Sequence, residues 1–170
     1  MSKGAHMPND RSALARSAAQ LAAVLLVAVG ALHALWAAGS TWPFDDQEGL
    51  ARTVVNVPAS EMPSAALTLV ISFLTWIAAL LLLGRAGWWR MGMPSWVFTL
   101  GTWGVAAVLF GRALLGVQSI GVDSTHGRLD LAIYSPLCLL LAALAAVVAA
   151  WGKRAPASRP SALRASAPPS

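Results

Sequence analysis

The sequence predicts an all-α fold, a bundle of four membrane-spanning helices, on three observations. Hydrophobic residues make up 57% of the 170-residue chain and charged residues only 11%, a balance too apolar for a soluble domain. The apolar residues gather into four runs of about 20 residues, the length that crosses a hydrocarbon core of about 30 Å. Basic residues gather at one set of run ends: Lys3, Arg11, Arg16, Arg85, Arg90, Lys153, Arg154, Arg159 and Arg164 are nine of the 12. By the positive-inside bias both termini then face the cytoplasm.

A polar N-terminal arm covers residues 1–16, and the first span is expected over about 18–38, with Gly30, Ala34 and Ala38 forming a small-residue face suited to close packing. A rival reading of this run as a cleaved signal peptide suits its length less well. An outer segment from Gly39 to Pro63 follows. Asp45, Asp46, Glu48 and Glu61 make it acidic, and Glu48–Val57 is expected to form a short surface helix ended by Pro58. The second span covers about 64–83, where Thr68, Ser72 and Thr75 share one face; interhelical packing is the expectation for them, and a polar groove the sharper alternative. The connection from Gly84 to Pro94 is basic through Arg85 and Arg90 and aromatic through Trp88 and Trp89, as a membrane-surface loop would be. The third span, about 95–117, has a small face of Gly104, Ala107 and Gly111 and carries Arg112 inside it. After a loop with Asp123, His126 and Arg128, the fourth span covers about 130–151, with Ala142, Ala146 and Ala150 on one face. Trp76 and Trp103 fall at mid-depth and are expected to pack. The remainder, 153–170, is rich in Ala, Pro, Ser and Arg and expected to be a disordered cytoplasmic tail.

Inventory excludes several functions. The single Cys138 makes no intramolecular disulfide, dithiol redox pair or thiolate zinc site, and it reads as a small apolar residue. A pI of about 10.7 would suggest nucleic acid in a soluble protein, but here the bases set orientation, so nucleic acid is not expected as a partner. A bis-histidine haem needs a second histidine at depth, whereas His6 and His126 lie outside the spans. No acid lies deeper than Asp130, against a coupled antiporter. His33, His126, Asp123 and Asp130 match no metal-ligand spacing. No cofactor and no metal are therefore expected.

Polar groups at membrane depth are costly and mark the places to look for function. His33 lies five residues before the outer end of the first span and Arg112 five before that of the third, so each is roughly 7 Å deep. Tyr134 is roughly 6 Å deep in the fourth span, capped by Asp130 at its start. With Trp36 one turn from His33, the five residues His33, Trp36, Arg112, Asp130 and Tyr134 form the one candidate ligand-binding layer. Each also has a plainer role: a helix-bonded histidine, a snorkelling arginine, an N-terminal carboxylate or the ion-pair partner of Arg112, interfacial aromatics. Pro136 removes the helix bond to the Ala132 carbonyl, leaving Arg112 a second acceptor beside Asp130.

The run His33-Ala34-Leu35-Trp36-Ala37-Ala38-Gly39, Arg112 with Gly116, and Asp130 leading into Tyr134-Ser135-Pro136-Leu137-Cys138-Leu139 resemble the small bacterial membrane proteins of domain of unknown function family 3995. The resemblance covers about residues 20–151 and implies four spans in a bacterial cytoplasmic membrane. It brings no activity, and the loop before the fourth span departs from the family pattern, so Asp123 and His126 receive no role. Two functions follow from the residues. The first is a non-enzymatic bundle that binds a lipid, a small apolar or amphipathic ligand, or a partner span, a second copy of the chain included. The second is a small membrane enzyme or permease with His33 as proton carrier and Arg112 as anion anchor.

Overall fold

The computed structural model describes residues 10–89, 94–120 and 124–152. The start of the arm with His6, Arg90, Asp123 and the tail from 153 lie outside the described residues. In chain order the helices are α1 (Asp10–Ala37), α2 (Gln47–Leu50), α3 (Ala65–Ala86), α4 (Ser95–Leu115), α5 (Thr125–Leu129) and α6 (Ser135–Trp151). A π-helical turn, Asp130–Tyr134, joins α5 to α6, so that Thr125–Trp151 is one rod of 27 residues. That rod with α1, α3 and α4 gives four helices long and apolar enough to cross a membrane.

Consecutive spans are neighbours. The α1–α3 and α4–α6 pairs are the most extensive, and α1–α6 and α3–α4 contacts close the bundle. Its core brings Ala18, Ala19, Ala22 and Ala23 of α1 against Ala78, Ala79 and Leu82 of α3 and Ala145 and Val148 of α6. Alanine at these points lets backbones approach closely, which drives association where lipid tails are as apolar as leucine. The bulky residues point the other way: Val24, Leu74, Leu100 and Val108 are all more than half exposed. Ser64 caps α3 by accepting the Leu67 N–H at 3.3 Å, and Gly87 ends it at φ 88° in the left-handed region.

The structure corrects several sequence expectations. The expected polar arm is helical from Asp10 onward, because the Ala-rich stretch after it favours helix and Ala15, 1% exposed, is already part of the packed face. Of the expected small face on the first span only Gly30 is buried; Ala34 is half-buried and Ala38 exposed. On α4 the expected small face looks outward: Gly104, Ala107 and Gly111 are exposed, a Cβ on either glycine would meet nothing within 4 Å, and Phe98, Thr102 and Ala106 are buried instead. On α6 the packed line is Ala142, Ala145 and Ala149, with Ala150 exposed. Trp103 is 49% exposed and does not pack inside. Arg85, read as part of a surface loop, is only 6% exposed. Its Nη2 donates to the Ala149 carbonyl at 2.9 Å, tying α3 to α6.

On the hydroxyl face of α3, Ser72 serves packing. Ser72 donates to the Gly30 carbonyl at 2.7 Å and Trp76 Nε1 to the Val27 carbonyl at 3.3 Å, both across to α1. Thr75 and Thr68 bond back to the Ser72 and Ser64 carbonyls at 2.7 and 3.1 Å.

Candidate functional site

The outer segment is folded, not a slack loop. Asp46 caps α2 by accepting the Gly49 N–H at 2.7 Å, and a π-helical turn over Ala51–Val55 follows, ended by Asn56 at φ 62°. Glu48 clasps the segment: one carboxylate oxygen accepts the Ala59 N–H at 2.9 Å and the other pairs with Arg52. The Ala59 N–H first, and Arg52 second, hold the Glu48 carboxyl below the usual carboxylate range. Leu50 and Ala51, 2% and 0% exposed, are the residues this segment buries.

Between this segment, the end of α1 and the start of α3 lies a cavity of about 280 Å³, its walls formed by His33, Trp36, Leu50, Val54, Thr68 and Ile71 among others. The His33 ring lies 5.2 Å from the Trp36 ring, tilted by 57°. His33 Nδ1 is 2.8 Å from the Val29 carbonyl. A carbonyl only accepts, so Nδ1 carries the hydrogen, and Nε2 is the ring's remaining polar atom. Trp36 Nε1 donates to the Trp42 carbonyl at 2.8 Å, turning the outer segment back over the end of α1.

Arg112, Asp130 and Tyr134 form a separate group on the α4–α6 side. Arg112 Nη2 donates to Asp130 Oδ1 at 2.8 Å, with the carboxylate side chain 4% and the guanidinium side chain 39% exposed. Asp130 is not the N-terminal carboxylate of its span. Ser124 is the cap, accepting the Gly127 N–H at 3.0 Å, and Asp130 opens the π turn more than one turn further in. In that turn the Ser135 N–H reaches back to the Asp130 carbonyl. Pro136 explains the widened register, since it brings no N–H and its ring would crowd the carbonyl one turn earlier. Tyr134 ends the turn, half-buried. Gly116 fits here because a Cβ on it would overlap the Ser135 hydroxyl and come within 3.3 Å of Asp130 Oδ2.

The five candidate residues thus fall into two groups. His33 and Trp36 line the cavity; Arg112, Asp130 and Tyr134 do not. The structure adds the wall residues Leu50, Val54 and Ile71, which sequence reasoning missed because an apolar wall looks like any other apolar stretch, and it brings Thr68 of the hydroxyl face into the same wall. His126 ties the α5 end of the fourth span to the segment between α1 and α3, its Nδ1 donating to the Thr53 carbonyl at 2.9 Å. Among the described residues no three His, Cys, Asp or Glu side chains gather as a metal site would require.

No curated protein matches the chain, and no solved structure does. Residues 26–156 match the family described as a protein of unknown function, DUF3995. That range takes in the His33–Trp36 run, Arg112, Gly116 and the turn into Pro136. With most of its length matched, and with four helices long and apolar enough to span a membrane, the chain belongs to the DUF3995 family.

Proposed function

We propose that this protein is a non-enzymatic membrane binding protein that takes a small amphipathic molecule into the cavity beside His33 and Trp36. The observation that carries the reading is the cavity itself. It is apolar over most of its wall, bordered by a folded segment, and supplied with a few polar groups, the usual composition of a small-molecule site. An enzyme or permease using His33 with Arg112 would need both at one cavity; their separation into two groups supports binding over catalysis. Purification in mild detergent followed by mass spectrometry should recover a molecule at near-stoichiometric amount from the parent. It should be depleted at least several-fold in His33→Ala and Trp36→Ala, the first melting close to the parent and the second lower, for loss of the Trp42 bond. Recovery of nothing from the parent, or equal recovery from all three, would overturn the proposal.

The site is placed at the outer face of a bacterial cytoplasmic membrane, with both termini in the cytoplasm, on the strength of the basic residues at the α3–α4 connection and the chain ends. Single cysteines at Ser60, Ser95 and Thr125 in a Cys138→Ser background check this with an impermeant thiol reagent on intact cells. Labelling is expected at Ser60 and Thr125 and not at Ser95; the reverse pattern would invert the orientation.

A further inference from the structure

The polar atoms of the cavity divide unevenly between donors and acceptors. The Thr41 hydroxyl donates to the Phe44 carbonyl at 3.1 Å, and Thr68 and Trp36 give their hydrogens to the Ser64 and Trp42 carbonyls. None of the described residues lining the cavity is Lys, Arg, Asp or Glu. His33 lines it with its Nδ1 hydrogen already given to Val29, so in the neutral ring Nε2 is an acceptor only. Resting on the binding reading above, we infer that the molecule held here is uncharged and carries an O–H donated to His33 Nε2: an apolar alcohol or phenol.

The competing head groups fit less well. A carboxylate brings a charge that no lining cation meets, and it adds an acceptor facing an acceptor. An ammonium lacks an anion. An ether or a bare hydrocarbon has no hydrogen to give Nε2 and so forgoes the bond that a hydroxyl makes there. A hydroxyl donates to His33 and still accepts through its own oxygen. Ser40 and Gln47, the other polar side chains of the wall, have hydrogens to give it. The volume of about 280 Å³ lies just below the range of about 300–1,000 Å³ typical for drug-sized ligands, which indicates a short molecule.

Decanol, decyl methyl ether and decanoate separate these cases, because they share a chain and differ in the head. Histidine-¹⁵N-labelled protein in detergent is titrated with each at about pH 8.5, where an ordinary imidazole is neutral. The His33 signal, assigned by its loss in His33→Phe, reports on Nε2. Decanol is expected to shift the Nε2 signal and to half-saturate at roughly one-fifth of the mole fraction that the ether needs, the effect of one net hydrogen bond. In His33→Phe, followed by competition against the co-purified molecule, that preference should vanish; if this variant does not fold, the alcohol–ether comparison in the parent decides alone. Equal binding of alcohol and ether, or tightest binding of decanoate, would overturn the inference while leaving the binding reading in place. Binding of none of the three would overturn both.

Discussion

Replacing Arg112 by alanine is expected to lower the melting temperature in detergent by roughly 10 °C, one of the two largest effects among the substitutions considered. The loss comes from the acid, not the base. Arg112 has its side chain 39% exposed, within reach of water and head groups, whereas the Asp130 side chain is 4% exposed and would lose its guanidinium partner. Stranding one member of a buried pair costs about 3–5 kcal/mol. The lower end applies because Asp130 takes part in a further interaction, and in a chain of this size each kcal/mol is worth roughly 2–4 °C. Arg112→Ala combined with Asp130→Ala should recover much of the loss, since the stranded charge is then gone. A single variant that melts with the parent would show that Arg112 only snorkels and that the pair does not hold the α4–α6 side together.

A comparable loss is expected from Gly30→Val, for a different reason. A Cβ on Gly30 would run into Trp76 Nε1 and the Thr75 hydroxyl, so α1 and α3 must move apart. The bonds from Ser72 to the Gly30 carbonyl and from Trp76 to the Val27 carbonyl would go with them. Overpacking costs about 1–3 kcal/mol and each lost bond about 1 kcal/mol more. Gly104→Ala is the matching control. With open space beyond its Cα, alanine there should be neutral or stabilise by about 0.5–1 kcal/mol through helix propensity. Thermal melts of both variants check the contrast, and equal effects would mean that the outward and inward faces of these helices have been exchanged.

The same two glycines show what the sequence makes legible. Span number follows from length and hydropathy, which the bilayer dictates directly. Which face of a span meets protein does not, because a lipid-facing surface and a helix-facing surface are both apolar. Gly30 and Gly104 sit in similar small-residue patterns, and only one of them is packed. Hydrogen-bonding chemistry is the better guide: the Ser72 face is the α1 contact, and Asp130 is one of the two partners expected for Arg112. Depth counting puts His33 and Arg112 at one level, yet depth carries no information about azimuth, so it does not separate the cavity from the ion pair. Arg85 is hidden by its neighbours Gly84 and Gly87, which look like loop residues although the helix continues to Ala86. An arginine in the last turn, free to bond carbonyl ends, is the available signal.

Occupancy of the cavity is tested most directly by filling it. Thr68→Trp puts an indole into the cavity wall one turn from the Ser72 contact and away from the ion pair, while Gly104→Trp adds the same bulk on an outward face. Co-purified small molecules are then quantified by mass spectrometry for the parent and both variants, at matched melting temperature. A binding cavity predicts the same molecule at the same amount in the parent and Gly104→Trp, and its loss from Thr68→Trp. Retention of that molecule in Thr68→Trp would contradict it.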